Sequence, residues 1–498
     1  MSQLPFDLLP EVARFLADSP IRPVIGGEER ASANGQTFAT RDPGTGAALA
    51  EVYFMQPEDV DAAVRSAQAA FDRPGWADLT PHARGVLLHR LIDAVEQRKS
   101  VFAQIEALDC GKVLRQAEAD VQNFIDTMRY YTEMALHVDR RAPLAVSHYD
   151  AYTYRAPWGP CAFIFPWNFP LLLVGWGIAP ALAVGNTVVI KPAEDTPLST
   201  IYLGRLAAEI GFPFGVINVL PGDGEITGAA LAKHPGIRRM SFTGSPEVGR
   251  LVAQACGRNL VPVKLELGGK GGAVVFDDVD VEATAQQLVQ AVTFHSGQVC
   301  CTATRWIVQK GIYDRFVDAA VKQLQSLRIG HELKRGVQMG PVISEKQRRR
   351  ILSYIDRGRE QGAELVYQGS LPEAEGAKGG TYVAPALLAG ALDNVAAQEE
   401  IFGPVAYLTP FDDEEDAVRK VNATDYGLAN SVWSRDLDRA QRVAEAMEAA
   451  NSWINAHNLF PHGVPYGGIK KSGMGGGVLS EQTLFDYLRA TSVVRPRG

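Results

Sequence analysis

From Pro160 onward, short apolar runs alternate with longer amphipathic stretches, and this alternation limits the folds open to the chain more than any other feature. Residues 161–165 and 187–191 are apolar runs of strand length. Thr196-Pro197 opens a helical stretch that Gly211 ends, residues 216–220 and 237–243 are strand-like again, and 246–256 is helical. Strands separated by helices of about ten to fifteen residues form βαβ units on a parallel sheet, because a parallel crossover needs that length. A second alternation follows Gly271: strand-like 273–276, helical 281–294, strand-like 306–309, helical 312–327 and 344–362, then α/β material to about Asn455. The expectation is an α/β protein of two domains.

The flanking segments read differently. Residues 1 to about 55 carry turn clusters (Gly26-Gly27, Asp42-Pro43-Gly44) between short strand-like runs, and 57–71 and 81–98 are helical. In the second of these, Leu87, Leu88, Leu91, Ile92 and Val95 share one face at helical spacing and are core residues. The polar, Arg-rich stretch 138–150 suits a linker or extended arm. The glycine-rich tail from Gly467 to Gly477 reads as loop, with a last strand-like piece at 492–495.

Composition excludes several classes. The chain of 498 residues is long enough for about two to four domains, and 46% apolar with 21% charged residues is ordinary globular composition. A net charge of −8 speaks against nucleic acid or an anionic membrane as the main partner. The most apolar stretch, 169–190, is punctuated by Pro170, Gly175, Gly177, Pro180, Gly185 and Asn186, which suits a buried strand-turn-helix and not a membrane span. Five cysteines without a Cys-x-x-Cys pair argue against a disulfide framework or a zinc site; no metal is expected. The first residues, Met1-Ser2-Gln3-Leu4-Pro5-Phe6-Asp7, lack the basic-then-apolar order of a signal peptide, so a soluble cytoplasmic protein is expected.

Chemistry concentrates in Phe294-His295-Ser296-Gly297-Gln298-Val299-Cys300-Cys301, where a glycine-led loop after a helical stretch can turn a thiol toward a cleft. A thiolate is a strong nucleophile once its pKa is lowered or a base stands nearby. Glu266, flanked by Leu265 and Leu267, is a candidate base whose pKa an apolar setting would raise. Asn168, between Trp167 and Phe169 and hemmed in by two prolines, is equally readable as a turn residue or as an amide donor to an oxyanion. Lys191-Pro192-Ala193-Glu194 follows a strand, the position where open α/β sheets bind ligands, and a Glu there accepts ribose hydroxyls, favouring NAD over a 2′-phosphorylated cofactor. Pro221–Gly228, containing Gly224 and Gly228, has one residue too many for a dinucleotide fingerprint. Phe242-Thr243-Gly244-Ser245 precedes a helix whose first N–H groups suit a pyrophosphate. Residues 267–272 lack Walker spacing, which excludes a nucleoside triphosphatase.

Taken together, Pro166-Trp167-Asn168-Phe169-Pro170, Lys191-Pro192-Ala193-Glu194, Phe242-Thr243-Gly244-Ser245, Glu266-Leu267-Gly268-Gly269-Lys270, Gly297-Gln298-Val299-Cys300 and Glu400-Ile401-Phe402-Gly403-Pro404 resemble the NAD(P)-dependent aldehyde dehydrogenase superfamily in order and spacing, with Glu266 and Cys300 34 residues apart. The resemblance covers the chain after about residue 20. It implies a Rossmann-like NAD-binding domain (1–130 and 148–258), a catalytic domain (259–460) and a small β oligomerisation arm (131–147 and 475–498). It also implies a homo-oligomer, dimer or tetramer. Cys300 would attack the aldehyde, Asn168 and the Cys300 amide would hold the oxyanion, and Glu266 would activate the hydrolytic water. Phe165, Trp167, Lys191, Glu194, Gly224, Gly228, Phe242, Gly244, Ser245, Leu267, Glu400 and Phe402 would hold NAD, with NADP also open. The chemistry of two adjacent thiols does not separate them; the family register alone makes Cys301 a pocket wall.

The same resemblance implies an aldehyde channel lined by Phe169, Leu172, Leu173, Trp176, Phe294, Val299, Cys301, Asn458, Phe460 and Tyr466. So apolar a lining suits a hydrophobic or aromatic aldehyde, because an unpaired charge buried there is costly. A betaine or aminoaldehyde enzyme, which His457 and Asn458 leave open, a CoA-acylating semialdehyde enzyme and a catalytically dead binding protein are the rivals; the presence of Glu266 favours hydrolysis. Two departures stand out. Many relatives carry Lys where this chain has Gly177, which puts a lysine-assisted proton exit in doubt, and the tail Gly473-Met474-Gly475-Gly476-Gly477 lacks the family's basic-acidic pair.

Overall fold

The computed structural model describes residues 6–371 and 379–497; the opening residues 1–5, weighed above for a leader, lie outside it. Two sheets organise the chain. The first runs in the order Gly473–Met474, Val263–Glu266, Arg239–Thr243, Pro160–Ile164, Thr187–Lys191, Ile217–Val219. Its strands are parallel except for the antiparallel edge strand Gly473–Met474. The second has seven strands, Glu364–Gln368, Ala386–Ala389, Val405–Phe411, Ala303–Gln309, Gly271–Val275, Ala429–Trp433 and Asn451–Ile454, all parallel but for the Glu364–Gln368 edge. Helices cover both faces, so central strands such as Thr187–Lys191 are buried along their whole length and read as continuous apolar runs.

Local chemistry sets the helix starts. Thr80 accepts from the Ala83 N–H at 3.2 Å with Pro81 in the first turn, and Ser245 accepts from Val248 N–H at 3.3 Å with Pro246 following it. The Pro170–Ala183 helix is buried on nearly every side and lies against the long Leu114–Met134 helix. A third, three-stranded antiparallel sheet of Arg141–Leu144, Tyr149–Pro157 and Leu488–Pro496 stands apart, and Leu144, Tyr149, Val493 and Val494 on it are exposed. The polar stretch expected to be a linker or arm is therefore strand.

The structure corrects two sequence expectations. Pro10–Ala17 is a helix with Val12, Phe15 and Leu16 buried, in a region expected to hold only turns and short strands; its apolar face is too short to stand out as periodic. The glycine-rich tail is not all loop: Ile469–Lys470 pairs with Tyr426–Gly427, and Gly473–Met474 extends the first sheet beside Leu265 and Glu266. Glycine offers backbone pairing without a side-chain signal, so no pattern marks it. Val263–Glu266 pairs within the first sheet, between Arg239–Thr243 and Gly473–Met474. Among the described residues, no helix is long and apolar enough to cross a membrane.

Candidate active site

A cleft of ≈ 990 Å³ opens where the carboxyl ends of the first sheet's parallel strands meet the amino ends of the second sheet's strands. Phe165–Phe169, Thr243–Ser245 and Glu266–Gly268 reach it directly from strand ends; Val299–Cys301, Glu399, Glu400 and Phe402 come from loops that lead into strands, and Tyr426 and Leu428 from the short strand Tyr426–Gly427 and the residue after it. Cys300, Glu266 and Asn168 all line it. So do Phe165, Trp167, Gly244, Ser245, Leu267, Glu400 and Phe402, together with Phe169, Leu172, Leu173, Trp176, Val299, Cys301, Phe460 and Tyr466.

Seven of the expected residues lie outside the cleft wall. Phe242 is buried beneath Gly244, where a Cβ would come within 2.5 Å of its ring. Phe294 stacks on Phe169 at 6.4 Å from behind, and Asn458 accepts from the Cys301 thiol at 3.4 Å. Lys191, Glu194, Gly224 and Gly228 gather separately beyond the strand Thr187–Lys191: Lys191 Nζ is 3.3 Å from the Glu194 carboxylate, and its side chain runs beside Gly228. Gly224–Gly228 forms a single π-helical turn, capped by Asp223 accepting from Ile226 N–H at 2.7 Å.

The cysteine loop is held by an unusual backbone. His295, Ser296 and Gly297 have consecutive φ values of 47°, 54° and 74°, all left-handed. At Gly297 a Cβ would lie 2.2 Å from the Gly403 carbonyl, so only glycine fits. Ser296 donates to Gly340 O at 2.8 Å, Gln298 donates to His295 O at 3.1 Å and accepts from Ile343 N–H at 2.9 Å. Gly269 lets the link between the sheets pass the nucleophile loop, since a Cβ there would meet Cys300 O at 2.3 Å. Nothing in the sequence announces this conformation beyond Gly297.

The two neighbouring thiols diverge. Cys300 is part-exposed to the cleft, and hydrogen bonding from Cys301 and then Tyr466, against burial, holds its pKa below that of an ordinary thiol. Its sulfur lies 3.5 Å from the Tyr466 hydroxyl. Cys301 is buried, and burial together with the neighbouring Cys300 pushes its thiol well up. Tyr466 was expected only as a channel wall; its contact with the sulfur is a role that sequence did not reveal.

Glu266 is 8% exposed and neither carboxylate oxygen has a hydrogen-bond partner. Burial raises its pKa well above the carboxylate range, Lys264 opposes the rise and Cys300 adds to it. Asn168 lines the cleft and donates one amide hydrogen to Gln298 O at 2.9 Å, which leaves the second amide hydrogen available. On the far side, Glu400 accepts from Gly269 N–H at 3.0 Å, and burial lifts it to about 7. Arg350 donates to Glu400 O at 2.7 Å and Gln347 to Phe402 O at 2.9 Å, fixing that loop; neither residue was foreseen, because a charged helix face looks solvated in sequence. Trp176, Phe460 and Tyr466 pack ring to ring at 5.1–5.6 Å, and Trp176 Nε1 donates to Asn123 Oδ1 at 2.7 Å.

Against known proteins, the family model described as "Aldehyde dehydrogenase family" matches residues 30–493. Retinaldehyde dehydrogenase 3 of Mus musculus is 40% identical over 97% of this chain and 94% of its own length, and an aldehyde dehydrogenase of Emericella nidulans is 39% identical over 92% of each. Among solved structures, the NAD+ complex of an aldehyde dehydrogenase from Bacillus cereus superposes with a TM-score of 0.94 at 36% identity, covering 98% of this chain and 99% of that one. Betaine aldehyde dehydrogenase of Staphylococcus aureus in complex with NAD+ gives 0.94 at 33% identity, covering 98% and 97%.

Proposed function

The chain belongs to the aldehyde dehydrogenase family, and from that premise we propose that it oxidises a hydrophobic or aromatic aldehyde to the acid with NAD, through a covalent bond to Cys300. The observation that carries the reading is the opening of a pKa-lowered thiol, a carboxylate with two free oxygens and a half-free amide into one cleft.

The residues present fit NAD. Lys191 and Glu194 stand at a strand's carboxyl end, where the half-exposed Glu194 carboxylate can accept ribose hydroxyls. Gly244, Ser245 and the first turn of the Pro246–Arg258 helix line the cleft and offer backbone N–H groups to a pyrophosphate. Glu400 and Phe402 sit beside the nucleophile's loop, suited to the nicotinamide ribose. When bound, NAD supplies the hydride acceptor.

This chain's own residues account for the rest. Cys300 adds to the carbonyl carbon to give a thiohemiacetal, and the free amide hydrogen of Asn168 and the Cys300 N–H stabilise the oxyanion. Loss of hydride leaves a thioester on Cys300. Glu266, kept basic enough by burial, removes a proton from the water that cleaves it. Cys301 is too enclosed to compete. Substrate class follows from the wall of Phe169, Leu173, Trp176, Val299, Phe460 and Tyr466, which offers no charge to a cationic or anionic substrate. The exposed apolar residues of the three-stranded arm support association with further copies of the chain.

Cys300→Ala is expected to abolish NADH production while NAD still binds, and Cys301→Ala to keep most of it. Glu266→Gln is expected to retain one NADH burst and accumulate thioester. Loss of activity in Cys301→Ala alone would move the nucleophile. A kcat/KM series over benzaldehyde-like, aliphatic and ω-amino aldehydes tests the substrate, and a preference for the cationic member overturns that part. Acyl-CoA appearing in place of free acid would reassign the acceptor.

A further inference from the structure

Each turnover leaves a proton on Glu266, which must lose it before the next thioester forms. On the carboxylate itself the cleft offers no hydrogen-bond partner. The two places where the family resemblance led one to expect charge are glycine here. At Gly177 a Cβ would stand 2.6 Å from the Phe165 ring, so no lysine side chain could leave that position without displacing it, and residues 475–477 carry no side chains. The buried cation that does neighbour Glu266 is Lys264, two residues earlier on the same strand and hence on the same face. Its side chain is wholly buried, its Nζ donates to Gly477 O, and it ion-pairs with Asp486 Oδ2 at 2.8 Å. Glu266 meets the same glycine backbone from the other end: its Oε1 lies 3.2 Å from the Cβ position of Gly467, and that position is 2.7 Å from Gly477 Cα. Asp486 Oδ2 is itself buried, but the side chain as a whole is 17% exposed and gives the cluster an edge on solvent.

Resting on the assignment of Glu266 as base, we propose that Lys264 and Asp486 form the proton exit of the active site, carrying the proton of Glu266 past Gly467 and Gly477 to solvent. The ammonium of Lys264 gives one proton to the Asp486 carboxylate; the neutral amine takes the proton of the Glu266 carboxylic acid; Asp486 releases its proton to bulk water. The sum is one proton moved from Glu266 to solvent, with every group restored. Burial, the largest influence on Lys264, draws its pKa below the ordinary value, which brings the neutral amine within reach. Other charged or titratable groups facing the cluster are Arg239, 3.8 Å from Asp486 Oδ2, Tyr487, whose ring centroid is 5.9 Å from Nζ, Tyr131, which feels the Asp486 charge, and Cys300 beyond Glu266.

The test compares Lys264→Met, Lys264→Arg and Asp486→Asn by stopped-flow and steady-state NADH production across pH, with NAD binding and thermal melting as controls for fold. The expected result is an unchanged first-turnover burst and a kcat lowered at least about tenfold near neutral pH that recovers as pH rises, because hydroxide then strips Glu266 directly. Arginine keeps the charge but cannot become neutral, so Lys264→Arg should fail like Lys264→Met. Rescue by arginine would reduce Lys264 to a fixed charge, and a burst lowered in step with kcat would reduce it to a structural part; either overturns the proposal. Should Lys264→Met misfold, Asp486→Asn decides alone: a kcat–pH profile superimposable on that of the unaltered protein overturns the exit. Glu266→Gln separates the two readings. If it deacylates normally the base assignment is wrong, whereas if it stalls and the Lys264 and Asp486 variants do not, only the exit falls.

Discussion

Two of the lysines buried around the cleft, Lys112 and Lys264, each lie between carboxylates, and they are built for opposite ends. Lys112 pairs with Asp120 and stands 3.9 Å from Glu106, and all three side chains are 5% exposed or less. Lys264 pairs with Asp486, which keeps contact with solvent. Burial pulls both ammonium groups toward neutrality. Around Lys112, the combined field of Asp120, Cys110 and Glu106 outweighs burial and carries its pKa above the ordinary value; around Lys264, burial wins over Asp486. Burial alone, then, does not decide whether a lysine is a fixed ion or a proton carrier. The number of compensating carboxylates and their access to water decide it.

The fixed member braces the site. Glu106 accepts the Leu171 N–H at 3.2 Å and so closes the start of the Pro170–Ala183 helix, directly after Asn168 and Phe169. Lys112 Nζ sits 3.9 Å from the Phe169 ring centroid, a cation–π contact beneath the substrate wall. The largest difference between the two clusters should therefore be in stability. Lys112→Met strands two buried carboxylates and is expected to cost about 3–5 kcal/mol in urea denaturation. Lys264→Met leaves Asp486 able to hydrate and Glu266 able to stay protonated, and should cost about 1–3 kcal/mol. Equal losses would erase the distinction between brace and carrier.

How much of this was legible in the sequence depended on whether a residue's role is local. The βαβ rhythm, the helix starts at Pro81 and Pro246 and the strand Thr187–Lys191 are written in neighbouring residues, and they stand where expected. Cys300, Glu266 and Asn168 lie in motifs distinctive enough to be found, and one cleft gathers them. What sequence could not separate were the two thiols, because their difference comes from burial, Cys301 enclosed and Cys300 part-exposed to the cleft, and from which sulfur the left-handed turn at 295–297 aims outward. Nor could Lys264 be told from a surface lysine, since its partners arrive from the glycine tail, read only as loop, and from the Glu481–Asp486 helix, which was not read. Long-range pairing and positive φ leave no periodic trace.

The brace also carries the smallest and most discriminating prediction. Burial, against Lys112, lifts Glu106 from 4.5 to about 7. A carboxyl whose pKa is higher when folded binds its proton more tightly in the native state, so its contribution to stability is present below about pH 4.5 and is lost as pH rises through about 7. Glu106→Gln keeps an oxygen for the Leu171 N–H and removes the titration. Relative to this variant, the unaltered protein should lose stability between about pH 4.5 and pH 7, with a slope no steeper than about 1.4 kcal/mol per pH unit. The measurement is the urea midpoint of both proteins across that window. A difference that instead grows in favour of the unaltered protein with rising pH would mean that Lys112 keeps Glu106 ionised throughout. The cluster would then be a simple ion triad with no proton to lose, and the contrast with the Lys264 cluster would be sharper still: one lysine holding its carboxylates charged, the other passing a proton between them.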